Sequence, residues 1–230
     1  MGNRLLEAES LMDQATKNHL SSYPFGKETK YKTSALLFRQ AAKLFRACGQ
    51  EKKFLESTCF YYDCLADHNY YICGDWRMAS RYYERAEMFG EKLFLRALST
   101  DEKSFWESEI FYFRALKHES LAFAFEKEKN YVRAKKDYSK AINWYKECLK
   151  RETDRENQKL LRHSIIGLLG GLFFVEGLII EKSDKDRAKQ FFSRAISLYR
   201  KALKYHPSWK NTGHRDDYVI WVEQVIRHLR

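Results

Sequence analysis

A small residue, an aromatic four positions on and a second small residue three further recur four times along the chain. The copies are Ser34-Phe38-Ala41, Ala79-Tyr83-Ala86, Ala134-Tyr138-Ala141 and Ala188-Phe192-Ala195. Offsets of 4 and 7 place all three side chains on one stripe of an α-helix. A small residue at a helix crossing lets two backbones approach, and the aromatic fills the wedge beside them. The triads begin at 34, 79, 134 and 188, intervals of 45, 55 and 54 residues, so the chain is built from repeats. No strand pattern is evident. The prediction is an all-α chain of stacked helix pairs.

Each triad helix has a partner before it. Residues 4–19 carry Leu5, Ala8, Leu11, Met12 and Ala15 on one face, and a loop with Pro24 and Gly26 comes next. The first triad helix spans about 28–48, with Gly49 placed to end it. First helices of the later pairs are predicted at about 51–73, 103–128 and 156–181, and Asp75 is a candidate N-cap. The best-preserved pair is 121–141. There Leu121, Ala122 and Phe125 face Tyr131, Ala134, Tyr138 and Ala141 across a polar corner at 127–130. In the last pair Gly167, Gly170, Gly171 and Gly177 occupy crossing positions, each at a propensity cost of roughly 1 kcal/mol that close packing must offset. After a loop at 207–213, residues 214–230 are predicted to form a capping helix through Tyr218, Trp221, Val222, Val225, Ile226 and Leu229.

Leu121, Ala122, Phe125, Tyr131, Ala134, Tyr138 and Ala141 resemble the tetratricopeptide repeat, and Gly177, Ile180, Ala188, Phe192 and Ala195 match it in the last pair. The period exceeds the usual value of about 34, and the proline that closes a standard repeat is absent. The long-helix proteins of the soluble NSF attachment protein type are more similar, through residues 38–45 (Phe-Arg-Gln-Ala-Ala-Lys-Leu-Phe) and 81–86 (Arg-Tyr-Tyr-Glu-Arg-Ala). The resemblance implies a right-handed stack of antiparallel helix pairs: about nine helices, four pairs plus the cap. It also implies a non-enzymatic adaptor role.

A chain of 230 residues buries roughly 70% of the surface its unfolded form exposes, so one domain over 1–230 is expected. The 44% hydrophobic and 32% charged content, with two prolines, is that of an ordinary globular protein rather than a disordered or fibrous one. Five cysteines, an odd number, lie mostly within helical patterns, which suits reduced thiols and a cytoplasmic protein. The longest apolar run, 165–180, is interrupted by Glu176 and is shorter than the roughly 20 residues of a membrane span. Gly167 and Gly171 are therefore read as core packing rather than a membrane dimer motif.

Charge is distributed unevenly. Residues 1–129 hold 20 Lys/Arg against 19 Asp/Glu, while residues 130–230 hold 22 against 12. The basic residues of the later pairs sit on their second helices: Arg133, Lys135, Lys136, Lys140, Arg187, Lys189, Arg194, Arg200, Lys201 and Lys204. In the resembled fold these are the outer, convex helices. Such a half attracts an acidic protein face, a nucleic acid or an anionic membrane surface through its long-range field.

Catalytic chemistry finds little support. Cys64 and His68, one turn apart near Asp63, Asp67 and Cys73, are the one hint of metal ligands, and two donors do not make a site. No phosphate-cradling glycine loop, CxxC or HExxH occurs. No metal, cofactor or enzymatic activity is expected. Candidate partner-binding residues are Arg114, Lys117 and His118, with Arg162 and Glu176 one pair later. They lie on first helices, which line the concave groove of the resembled fold, where basic donors suit an acidic peptide or helix. Nucleic-acid association through the basic half is the alternative function.

Overall fold

The computed structural model describes residues 2–20, 28–205, 225 and 227. Eight α-helices succeed one another: α1 (Gly2–Leu20), α2 (Glu28–Ala47), α3 (Glu51–Asp67), α4 (Trp76–Arg96), α5 (Thr100–Lys127), α6 (Tyr131–Arg151), α7 (Arg155–Ile180) and α8 (Lys185–Tyr205). A π-helical segment, His68–Cys73, continues α3. The described residues contain no strand. Sequence neighbours pack on one another: α1 on α2, α2 on α3, α3 on α4, α6 on α7 and α7 on α8. The chain divides into two compact units, Met1–Ser120 and Leu121–Arg230.

All twelve residues of the four triads are buried, none more than 2% exposed. The repeating stripe is therefore the packing seam of each unit. In the first unit Ala8, Ala41 and Phe45 form one cluster, and Ala15, Ala35, Phe38 and Cys64 another. In the second, the glycines of α7 show why helical propensity gave way. A Cβ on Gly170 would lie 2.6 Å from the Tyr199 ring and one on Gly171 2.7 Å from the Tyr138 ring; one on Gly177 would meet Phe192. Tyr138 and Phe192 are the aromatics of two triads, so wedge and groove were written on different helices. Among the described residues α7 is the one helix long and apolar enough to cross a membrane by length and composition, and its glycines, Leu168, Phe174 and Val175 are buried in the unit.

Helix ends obey local chemistry. Gly49 at φ 71° closes α2, with the Gln50 N–H donating to the Phe45 carbonyl at 2.8 Å. Lys129 holds the equivalent left-handed position after α5, at φ 58°, with the Asn130 N–H on the Phe125 carbonyl at 2.8 Å. Asp75, Asn130, Asp154 and Asp184 accept backbone N–H groups at the starts of α4, α6, α7 and α8.

The structure describes eight helices where nine were expected, because the capping helix at 214–230 and the loop at 207–213 lie outside the described residues except at two positions. Those two, Val225 and Arg227, are helical. Val225 is fully buried in the cluster of Phe174, Ala188, Phe192, Ala195 and Tyr199. The loop with Pro24 and Gly26 also lies outside the described residues.

Candidate functional site

Two carboxylates interrupt the apolar stripe of α3. Asp63 and Asp67, one helical turn apart, lie on the same side as buried Cys59, Cys64 and Ala66, and are 8% and 4% exposed. Residues four apart stack on one face, so both point where a core side chain would. His19, in the last turn of α1, meets them. Its Nε2 lies 3.0 Å from Asp67 Oδ2 and 3.8 Å from Asp63 Oδ2. The Tyr83 hydroxyl, the aromatic of the second triad, donates to Asp67 Oδ1 at 2.7 Å. Asp67 thus has one oxygen fixed by α4 and the other turned to His19.

The π segment begins immediately after Asp67. A π turn carries one more residue than an α turn, and so it rotates the later residues about the helix axis. Within it Tyr71 stacks on Tyr31 of α2 at 6.1 Å, and Tyr31 meets the His19 ring edge-on at 6.2 Å. The imidazole therefore meets the Tyr31 ring as well as the two carboxylates.

Burial governs the electrostatics. Desolvation disfavours a charged His19, but Asp67, Cys64 and Asp63 outweigh it and push its pKa up to about 12, so the ring is an imidazolium at neutral pH. Burial pushes the Asp63 carboxyl well above its usual range; Asp67 adds to this and His19 opposes it. Glu109 of α5 is pushed up to about 7 by burial, with His19 opposing. The Cys64 thiol is pushed up to about 11, again by burial against His19. The donor atoms of His19, Asp63 and Asp67 all lie within 4.8 Å of one another.

Sequence reasoning paired Cys64 with His68, and the structure arranges them otherwise. His68 Nε2 lies 3.4 Å from Cys73 Sγ inside the π segment, while Cys64 adjoins His19. His19 lies 44 residues before Asp63 and carried no local signal. The legible clue was a pair of carboxylates on an apolar helix stripe, for which burial demands a partner.

Arg114 and Lys117 meet at Glu87 of α4. Arg114 donates to Glu87 Oε1 at 2.6 Å and to Glu91 Oε1 at 2.8 Å, and Lys117 donates to Glu87 Oε2 at 2.6 Å. Glu87 is 9% exposed, so this cluster joins α4 to α5 at the edge of the core of the first unit. His118 is half-buried on the same helix. In the second unit, exposed Arg162 donates to Gln158 at 3.2 Å, and half-buried Glu176 pairs with Lys135 at 2.8 Å, joining α7 to α6.

The ten basic residues named on α6 and α8 are all exposed. These two helices carry fourteen Lys/Arg against three Asp/Glu. Three of the arginines lie over aromatic rings: Arg133 over Phe125 at 5.6 Å, Arg187 over Phe191 at 5.8 Å and Arg194 over Phe173 at 5.7 Å. Phe173 and Phe191 stack on each other at 6.0 Å. Comparison of the chain with protein-family models, with curated proteins and with solved structures returned no match.

Proposed function

We propose that the chain is a non-enzymatic interaction scaffold, a tetratricopeptide-like stack of long antiparallel helix pairs with right-handed winding, which binds an acidic partner protein. One observation carries this reading: fourteen Lys/Arg against three Asp/Glu on α6 and α8, with all ten of the named residues exposed. Cations held on rigid helices raise the encounter rate with an acidic surface and fix its register. The apolar side of the same helices is occupied by the core, which leaves electrostatics as the selecting force. Arg114 and Lys117 hold Glu87 in the first unit, so the acidic partner is assigned to α6 and α8 in place of a groove on α5.

A second reading, nucleic-acid association, is favoured by the Arg187, Phe191, Phe173 and Arg194 group, where guanidinium planes and aromatic rings alternate at the surface. One experiment separates the two. Fluorescence anisotropy would compare a labelled acidic helical peptide with single-stranded RNA and duplex DNA of equal charge, across a salt series. The scaffold reading expects the peptide to bind more tightly, with affinity falling as salt rises and lost in the combined variant Lys136→Glu, Lys140→Glu, Arg194→Glu, Lys201→Glu. Tighter nucleic-acid binding with a steep salt slope favours the second reading. Binding of neither probe removes both.

A further inference from the structure

At the end of α1 the donor atoms of His19, Asp63 and Asp67 lie within 4.8 Å of one another, and both carboxylates are buried. The donor geometry suits a cation. Ligands about 2.1 Å from a metal lie about 3.0–3.4 Å apart at angles between 90° and tetrahedral. His19 Nε2 is 3.0 Å and 3.8 Å from the two carboxylate oxygens and the three donor atoms lie within 4.8 Å of one another, so Asp63 moves toward the other two to complete the set. The orienting contacts of a metal site are also present: Tyr83 fixes the outer oxygen of Asp67, and Tyr31 packs on the His19 ring.

We propose that His19 Nε2, Asp63 and Asp67 form a site for one divalent transition-metal cation of the zinc class, which clips the C-terminal end of α1 to α3. One imidazole nitrogen and two carboxylate oxygens form a borderline N/O set, which suits Zn²⁺, Co²⁺ or Mn²⁺ better than the all-oxygen shell of Ca²⁺. On binding, the metal replaces the proton that bridges His19 to Asp67, and that proton leaves to solvent. The clip is independent of the scaffold reading, because it lies in the first unit and the exposed cations lie in the second.

The test uses the full chain, stripped with a chelator and titrated with Co²⁺ and Zn²⁺. The expected result is one metal per chain, with a dissociation constant of about 1 μM or tighter. Bound Co²⁺ should show visible d–d bands without the near-ultraviolet charge-transfer band of a thiolate ligand. His19→Gln and Asp63→Asn should each weaken binding about tenfold or more. Cys73→Ser, which removes the exposed thiol beside His68, should bind as wild type. Circular dichroism checks that each variant is folded, and Zn²⁺ should raise the melting temperature of the wild type. Failure of the wild type to take up one equivalent overturns the proposal. So does a thiolate band, unchanged affinity in a folded Asp63→Asn protein, or loss of binding in Cys73→Ser.

Discussion

The first unit brings charge inward, whereas in the described part of the second unit the basic helices α6 and α8 keep theirs outside. In the first unit His19, Asp63 and Asp67 meet among core residues, and Glu87 gathers Arg114 and Lys117 at the core edge. In the second unit the close contacts are glycine against aromatic ring, and the basic residues of α6 and α8 are exposed. The same triad serves both. At Tyr83 the aromatic hydroxyl reaches a buried aspartate, while at Phe192 the ring has no hydroxyl and packs where Gly177 lacks a side chain. A directional polar bond thus fixes the seam at Tyr83 and shape fixes it at Phe192, while Tyr138 combines both, its ring against Gly171 and its hydroxyl on Glu126.

The largest expected effect tests the polar side of that contrast. Asp67→Ala leaves a buried imidazolium and a Tyr83 hydroxyl without their acceptor, which should cost about 4 kcal/mol in denaturant unfolding. An unfolding midpoint within error of wild type would mean the cluster is no structural tie. Next comes shape. Gly171→Val places new atoms in the Tyr138 ring and should cost about 3 kcal/mol. The matching change in the first unit, Gly90→Val, starts from a Cβ 3.2 Å from Ile110 Cγ1 rather than 2.7 Å from a ring and should be milder, by about 1–2 kcal/mol. Equal losses would erase the distinction.

A pH effect comes third and belongs to the second unit. Burial pushes the Glu126 carboxyl up to about 7, although the Tyr138 hydroxyl donating to it at 2.5 Å acts the other way. The folded state therefore keeps its proton to higher pH than the unfolded chain, whose carboxyl ionises near 4.5. Stability from this group is full below pH 4.5 and is lost as pH rises to about 7. Glu126→Gln should flatten that slope and stabilise the protein above pH 7 by on the order of 2 kcal/mol, allowing for partial solvent access. Equilibrium unfolding of both proteins from pH 4 to 8 measures it, and parallel curves would refute the assignment.

The smallest effect compares two versions of one turn. Gly49 closes α2 in the first unit, and Lys129 takes the same left-handed conformation after α5 in the second. A side chain there is strained where glycine is not, so Lys129→Gly should stabilise by about 0.5–1 kcal/mol, read as a rise in melting temperature. A fall would show that the lysine side chain contributes more than its backbone strain costs.

Much of the architecture was legible in the sequence because helical periodicity is local. The triads, the termination at Gly49 and the cap at Asp75 each depend on residues within a turn or two, and each is present as read; Gly170, Gly171 and Gly177 are close-packed as read, against rings of α6 and α8. The helix predicted over 51–73 also exists, but its last six residues are π-helical. Its apolar spacing alone does not distinguish a π turn from an α turn. The candidate groove residues show the same limit. Their helix was evident, but the acids that Arg114 and Lys117 bind lie on α4, 23 to 30 residues away.

By itself, then, the sequence determined that this chain is helical, where the helices run and which stripe of each is buried, because those properties arise from 3.6-residue spacing and side-chain size. The tertiary structure decided which polar groups meet. It brought His19 to Asp63 and Asp67, sent His68 to Cys73 and gave Arg114 and Lys117 a buried acid. Charges can pair with any opposite charge within a few ångströms, and their spacing along the chain sets no such distance. Only the packing of one helix on another does.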